Sequence, residues 1–290
     1  PASKVLDAPL VIDQGPGLDK WKPKNYTGIF YGPSTLRTGL EKSRNVMTVR
    51  LANKVGMEKV TEIANRFKIG YFPPLLATSL GAEETTLIKL VAGYSVFVNG
   101  GRFNNPALIE KIQDRSGKTI YKRDRRKCDS CGVSKNENLV VPLLKPEGSR
   151  IIDASHAFQM TWILKGVVKR GTAKKLNYIK HSIAGKTGTT NDNMDAWFLG
   201  FSPDLVVGVF VGFDQPRSLG EKETGSKVAA PIFAKFMDNT LLTSEIKPFM
   251  IPENIEMIRI DPVTGIKSDL KNKKSIYEAF VRGTYSFDKD

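Results

Sequence analysis

The sequence predicts an α+β fold, an antiparallel sheet flanked by helices, with the helices mostly first and the sheet mostly after. Two patterns carry this. Apolar residues recur at helical spacing in Met47, Leu51 and Val55, and again in Val60, Ile63, Ala64 and Phe67. After Gly185 the pattern turns to strands, with Ala196 to Phe201 and Leu205 to Phe213 joined tightly by Ser202-Pro203-Asp204.

Taken in order, Pro1 to Gly32 is rich in proline, glycine and aspartate and reads as extended segments and turns. The Met47 stripe stops at Gly56, and the Val60 stripe ends near Gly70. Thr85-Thr86 opens a helix over Leu87 to Val98, closed by Asn99-Gly100-Gly101. Leu108 to Gln113 and Lys118 to Lys122 flank Asp114-Arg115-Ser116-Gly117, a hairpin signature. Arg123 to Asn138 is charged and reads as an exposed loop. Asp153 caps a helix carrying Phe158, Trp162, Leu164 and Val167 that ends by Gly171. Pro231 suits the first turn of a last helix bearing Ile232, Phe236 and Met237.

The 290 residues carry 44 Lys+Arg against 30 Asp+Glu, a net charge of +14, and 40% of them are hydrophobic. That is too apolar for disorder, and no apolar run approaches the roughly 18 residues of a membrane span. The positive balance calls for anionic surroundings such as a membrane surface, a cell-wall polymer or nucleic acid. Opening at Pro1 without a methionine, the chain reads as one whose upstream part was removed. Cys128 and Cys131 form one CxxC in a basic stretch. A small local disulfide is the favoured reading, which implies an oxidising compartment; free thiols and a metal site stay open, the last short of ligands because His156 and His181 are far apart.

Gly-Lys-Thr occurs at Gly117-Lys118-Thr119 and at Gly185-Lys186-Thr187, but Ile112 and Lys180 stand where a phosphate loop needs its first glycine. The second copy leads into the strand hairpin. There Lys186 and the hydroxyls of Thr187 and Thr189 are expected on one face of an edge strand, a receptor for a carboxylate, with a backbone amide for an oxyanion. Ser-x-Asn also occurs twice, at Ser43-Arg44-Asn45 and Ser134-Lys135-Asn136. Ser43 lies where one helical segment gives way to the next, so it reads either as an N-cap or as a hydroxyl aimed into a cleft.

Ser43-Arg44-Asn45 followed by Lys186-Thr187-Gly188 resembles the active-site set of penicillin-binding proteins. Further resemblance runs through Trp21-Lys22-Pro23-Lys24-Asn25-Tyr26, Leu80-Gly81, Asn99-Gly100-Gly101, Arg170-Gly171-Thr172-Ala173, Asp195 to Phe201 and Ala229-Ala230-Pro231-Ile232-Phe233. Together these resemble the transpeptidase domain of bifunctional class A penicillin-binding proteins. Val263-Thr264-Gly265 and Glu278-Ala279-Phe280 are similar to the C-terminal extension of the 1A type. The expected division is a transpeptidase domain over 1–243 and an extension over 244–290.

The resemblance implies a penicillin-binding protein and β-lactamase-like fold that cross-links peptidoglycan through an acyl-serine, with stem peptides ending in D-Ala-D-Ala and β-lactam antibiotics as ligands. It implies neither a cofactor nor a metal, and no nucleic-acid partner. Ser43, Asn45 and Lys186 are the implied catalytic residues, while Thr187, Gly188 and Thr189 would bind the donor carboxylate. The family order is Ser-x-x-Lys, Ser-x-Asn, Lys-Thr-Gly, and no Ser-x-x-Lys precedes Ser43. Ser244 to Lys247 and Ser268 to Lys271 come after the Lys-Thr-Gly and read as coincidence. The nucleophile is therefore expected upstream of Pro1 in an N-terminally truncated chain, with a glycosyltransferase domain and an anchor to the periplasmic face of the bacterial inner membrane. Residues 1–290 alone are expected to be inactive and marginally folded. The alternatives are a D,D-carboxypeptidase or β-lactamase relative, and a non-enzymatic basic module that binds cell wall or nucleic acid.

Overall fold

Thr35 ends one strand and starts one helix. Its hydroxyl accepts from the Thr38 amide at 3.2 Å, capping the turn that follows. A computed structural model describes residues 1–17, 19–126, 144–269 and 271–285. The CxxC of Cys128 and Cys131, Ser134 and most of the expected 123–138 loop lie outside the described residues.

Strand β1 (Lys4–Asp7) pairs antiparallel with β2 (Gly32–Thr35), which feeds α1 (Leu36–Glu41). Helices α2 (Asn45–Val55) and α3 (Met57–Arg66) follow, separated at Gly56, where φ is +93°. Thr86 caps α4 (Leu87–Val98) as its sequence predicts. A short β3 (Arg102–Phe103) pairs with β6 (Ser149–Arg150). Between them stands the exposed hairpin β4 (Lys111–Gln113) and β5 (Thr119–Lys122), turning at Gly117.

Asp153 accepts from the Ser155 amide at 2.7 Å and opens α5 (Ala154–Lys169). The main sheet is β7 (Ala184–Thr189), β8 (Ala196–Phe201) and β9 (Val206–Val211), antiparallel in that order, so β7 is an edge among the described strands. Glycines let helices approach both faces. A Cβ on Gly208 would press on Leu87 and Val91 of α4, and one on Gly200 would press on Phe233 of α6 (Ala229–Leu241). Phe158, Leu164 and Val167 of α5, Phe198 and Phe201 of β8, and Phe233 and Met237 of α6 form one core. Each such side chain stabilises the fold by about 1.5–3 kcal/mol.

On α6 the buried stripe is Phe233, Met237 and Leu241, whereas Ile232 and Phe236 are half exposed. The expected stripe mixed two faces, because apolar residues lie on both sides of this helix. The last pair, β10 (Ile255–Ile260) and β11 (Ile276–Val281), is an antiparallel hairpin. It shares the main core through Ile255 and Ala279, and α5 reaches it with Trp162 Nε1 donating to the Tyr277 carbonyl at 2.7 Å.

Beneath this contact lies a buried charge cluster. Arg37, on α1, forks onto the carboxylate of Glu278, on β11, through Nε and Nη2, and donates from Nη1 to Glu41 Oε1 at 2.9 Å. Arg170 Nη2 donates to the same Glu41 Oε1 at 2.6 Å, and its Nε reaches Oε2 at 3.3 Å. Gly166 faces that carboxylate and has no room for a Cβ, which would collide with it.

Candidate active site

Helix α1 ends in a Schellman turn. With Lys42 as C-cap, the Ser43 amide donates to the Leu40 carbonyl at 3.2 Å and the Arg44 amide to the Gly39 carbonyl at 2.9 Å. Ser43 occupies the left-handed position of this turn, at φ +53°, where glycine is usual. It is not the cap of α2; Arg44 holds that position and makes no side-chain cap bond. The N-cap reading of Ser43 is thereby excluded, and its hydroxyl is free to face across to the sheet.

Opposite it stands Lys186 on β7. The Lys186 ammonium donates to Ser43 Oγ at 2.8 Å and to the Thr187 carbonyl at 2.9 Å. The strand is half buried here, but protein surrounds the ammonium, and removal from water lowers its pKa to about 8. A lysine so tuned exchanges protons near neutral pH. Because its N–H occupies a lone pair of Ser43, the serine's own proton remains to be donated elsewhere.

The threonines do not share the lysine's face. Along β7 successive side chains alternate, so Thr187 and Thr189 lie opposite to Lys186 and Gly188. The Thr187 hydroxyl is 2.8 Å from that of Thr172, and Thr189 Oγ1 accepts from the Gly225 amide at 3.0 Å. The expectation of ammonium and hydroxyls on one face is corrected by this alternation. Among the described residues Thr189 Oγ1 only accepts, so its O–H proton is available to an anion at the strand edge. Gly225 reaches Thr189 because it lies against the Gly188 and Trp197 carbonyls, where a Cβ would collide.

Asn45 is the first residue of α2, and its Nδ2 donates to the Lys24 carbonyl at 3.1 Å; no hydrogen bond joins it to Ser43 or Lys186 among the described residues. Ser244 and Lys247 lie elsewhere, beside His181 and Asp204. Sequence reasoning missed Asp7 and the parts that Thr172 and Asn25 play. Asn25 lay in a motif of the resemblance without a task, and the signal for one was Arg44, which has no acceptor to cap the helix it precedes.

The family described as penicillin binding protein transpeptidase domain matches residues 2–238. The chain is 44% identical over 277 residues to penicillin-binding protein 1A of Rickettsia bellii, covering 94% of this chain and 35% of that protein. The crystal structure of penicillin-binding protein 1A from Haemophilus influenzae superposes with a TM-score of 0.83 at 30% identity, over 98% of this chain and 45% of that one. PonA1 of Mycobacterium tuberculosis, solved in complex with penicillin V, gives 0.69 at 22% identity over 90% of this chain and 67% of that one, and shares the fold.

Proposed function

The chain belongs to the penicillin binding protein transpeptidase domain family, and from that membership we propose that it forms the proton-relay and donor-binding part of a peptidoglycan cross-linking D,D-transpeptidase. One observation carries the reading. The Lys186 ammonium meets the Ser43 hydroxyl across 143 residues of sequence, joining two motifs that the chemistry needs together.

In this reading a serine from a Ser-x-x-Lys segment ahead of Pro1 gives its proton to the lysine of that segment and attacks the carbonyl of a stem peptide ending in D-Ala-D-Ala. The β7 edge receives the donor: the Thr189 hydroxyl takes its carboxylate, the Lys186 charge draws it from the strand's other face, and the Thr189 amide meets the developing oxyanion. Ser43, held by Lys186, passes a proton to the departing D-Ala amine, and Asn45 contacts the substrate amide. The amine of a second stem then takes the acyl group from the serine. β-Lactams enter as donor mimics and stop at the acyl stage, a reading supported by the PonA1 structure in complex with penicillin V.

The chain spans about a third of the length of the Rickettsia relative. For the longer protein we propose an upstream glycosyltransferase domain and an anchor that holds both on the periplasmic face of the inner membrane.

Labelling with a fluorescent penicillin tests the assignment. With the upstream segment restored, Lys186→Ala slows acylation about 10²-fold or more, as for loss of an oxyanion or carboxylate anchor. Ser134→Ala, in the other Ser-x-Asn, changes little. Residues 1–290 alone give no labelled band on a denaturing gel. Wild-type acylation by Lys186→Ala would overturn the role of Lys186, and a band from residues 1–290 would place the nucleophile within them.

A further inference from the structure

The first turn of α2 leaves amides without intrahelical partners, and an acceptor side chain at the N-cap ordinarily serves them. Here the N-cap is Arg44, whose side chain only donates. Val46, the second residue of the helix, is fully buried, so water cannot serve its amide. The acceptor comes instead from 21 residues upstream: Asn25 Oδ1 takes the Val46 N–H at 3.2 Å. The other end of the same amide is fixed as well. Asn25 Nδ2 donates to the Ile29 carbonyl at 2.9 Å and to both oxygens of Asp7, at 2.9 and 3.0 Å.

Asp7 is fully buried and reaches back to the bend from its own side. Arg44 Nε lies 3.9 Å from it, and the Arg44 guanidinium is set by the Tyr31 ring at 4.1 Å and by Ser34 Oγ at 2.5 Å. So two groups just after Ser43, the Arg44 side chain and the Val46 amide, converge on one Asp7–Asn25 unit. Ser43 itself has a left-handed backbone that its own turn holds only by two hydrogen bonds.

We propose that Asn25 is the remote cap of α2 and, backed by Asp7, a positioning residue that holds the Ser43 bend against Lys186. It touches neither substrate nor the reacting atoms. Its relevance to acyl transfer rests on the function proposed above, whereas its effect on the bend does not.

The test therefore uses readouts that need no acylation. In residues 1–290, amide exchange followed by NMR should find Val46 protected at least 10-fold over an unpaired first-turn amide. Asn25→Ala removes that protection and moves the Lys186 ammonium titration up from about 8 toward the ordinary lysine range, while α5 amides keep their rates. Adding Arg44→Ser to Asn25→Ala supplies a local cap and returns Val46 protection, which simple loss of packing at residue 25 would not allow. Unchanged Val46 exchange and unchanged Lys186 titration in folded Asn25→Ala would overturn the proposal. Should Asn25→Ala fail to fold, the wild-type measurement decides, because an unprotected Val46 amide beside protected α5 amides contradicts a cap. With the upstream segment restored, failure of the wild type to take a penicillin label, with these results intact, would count against the proposed function alone.

Discussion

Ser43 stands where helix termination favours glycine, and a left-handed backbone costs an L-residue about 1–2 kcal/mol. The strain sits beside the one hydroxyl that Lys186 contacts, the usual place for strain to persist. Ser43→Gly is therefore expected to stabilise residues 1–290 by about 1 kcal/mol in urea denaturation while removing the contact with Lys186. A loss of stability instead would show that the turn does not strain this serine. At this scale Ser43 and Lys186 were legible because each sits in a short motif with a fixed chemical task. Asp7 was not, since a buried aspartate in a short strand looks like any surface aspartate until its partners from residues 25, 31 and 44 are brought to it.

The helices were legible as elements wherever a cap, a period and a stop agreed, as in α4 between Thr86 and Asn99. The face of α6 was misread because Ile232 and Phe236 are as apolar as the residues it buries. The β10–β11 hairpin was visible only as an extension, and nothing local marks Glu278 as buried. Yet burial opposes the charge of Arg37, and the hydrogen bonds and charges of Glu278 and Glu41 more than offset it, leaving the guanidinium pKa raised. Glu278→Gln leaves that buried guanidinium without its forked carboxylate, and the expected loss is about 3–5 kcal/mol in urea denaturation. A change under about 1 kcal/mol would mean that Glu41 alone suffices for Arg37. Because α1 runs from Arg37 to the bend, the hairpin and the candidate site share one support.

Across the whole molecule, the α+β order of helices and sheet followed from periodicity, whereas the meeting of residues from both ends did not, because no local pattern encodes it. Stability as a function of pH is a property of this assembled state. Lys186 has its pKa lowered on folding, so the folded chain binds fewer protons than the unfolded one between about 8 and the ordinary lysine value. Wild type is thus expected to gain about 3 kcal/mol relative to Lys186→Met as pH rises through that window, and none below it. Parallel pH profiles for the two proteins would contradict a desolvated ammonium. The Arg37–Glu278 pair, 241 residues apart, has a consequence in time as well. At about 5–20 residues per second, a ribosome that has made Arg37 needs roughly 10–50 seconds more to make Glu278. Through that interval Arg37 has Glu41 of its own helix beside it but lacks the forked carboxylate of Glu278. The bend that carries Ser43 has its Asp7 and Asn25 partners from the start, so it is the Arg37 side of α1, not the bend, that is completed last.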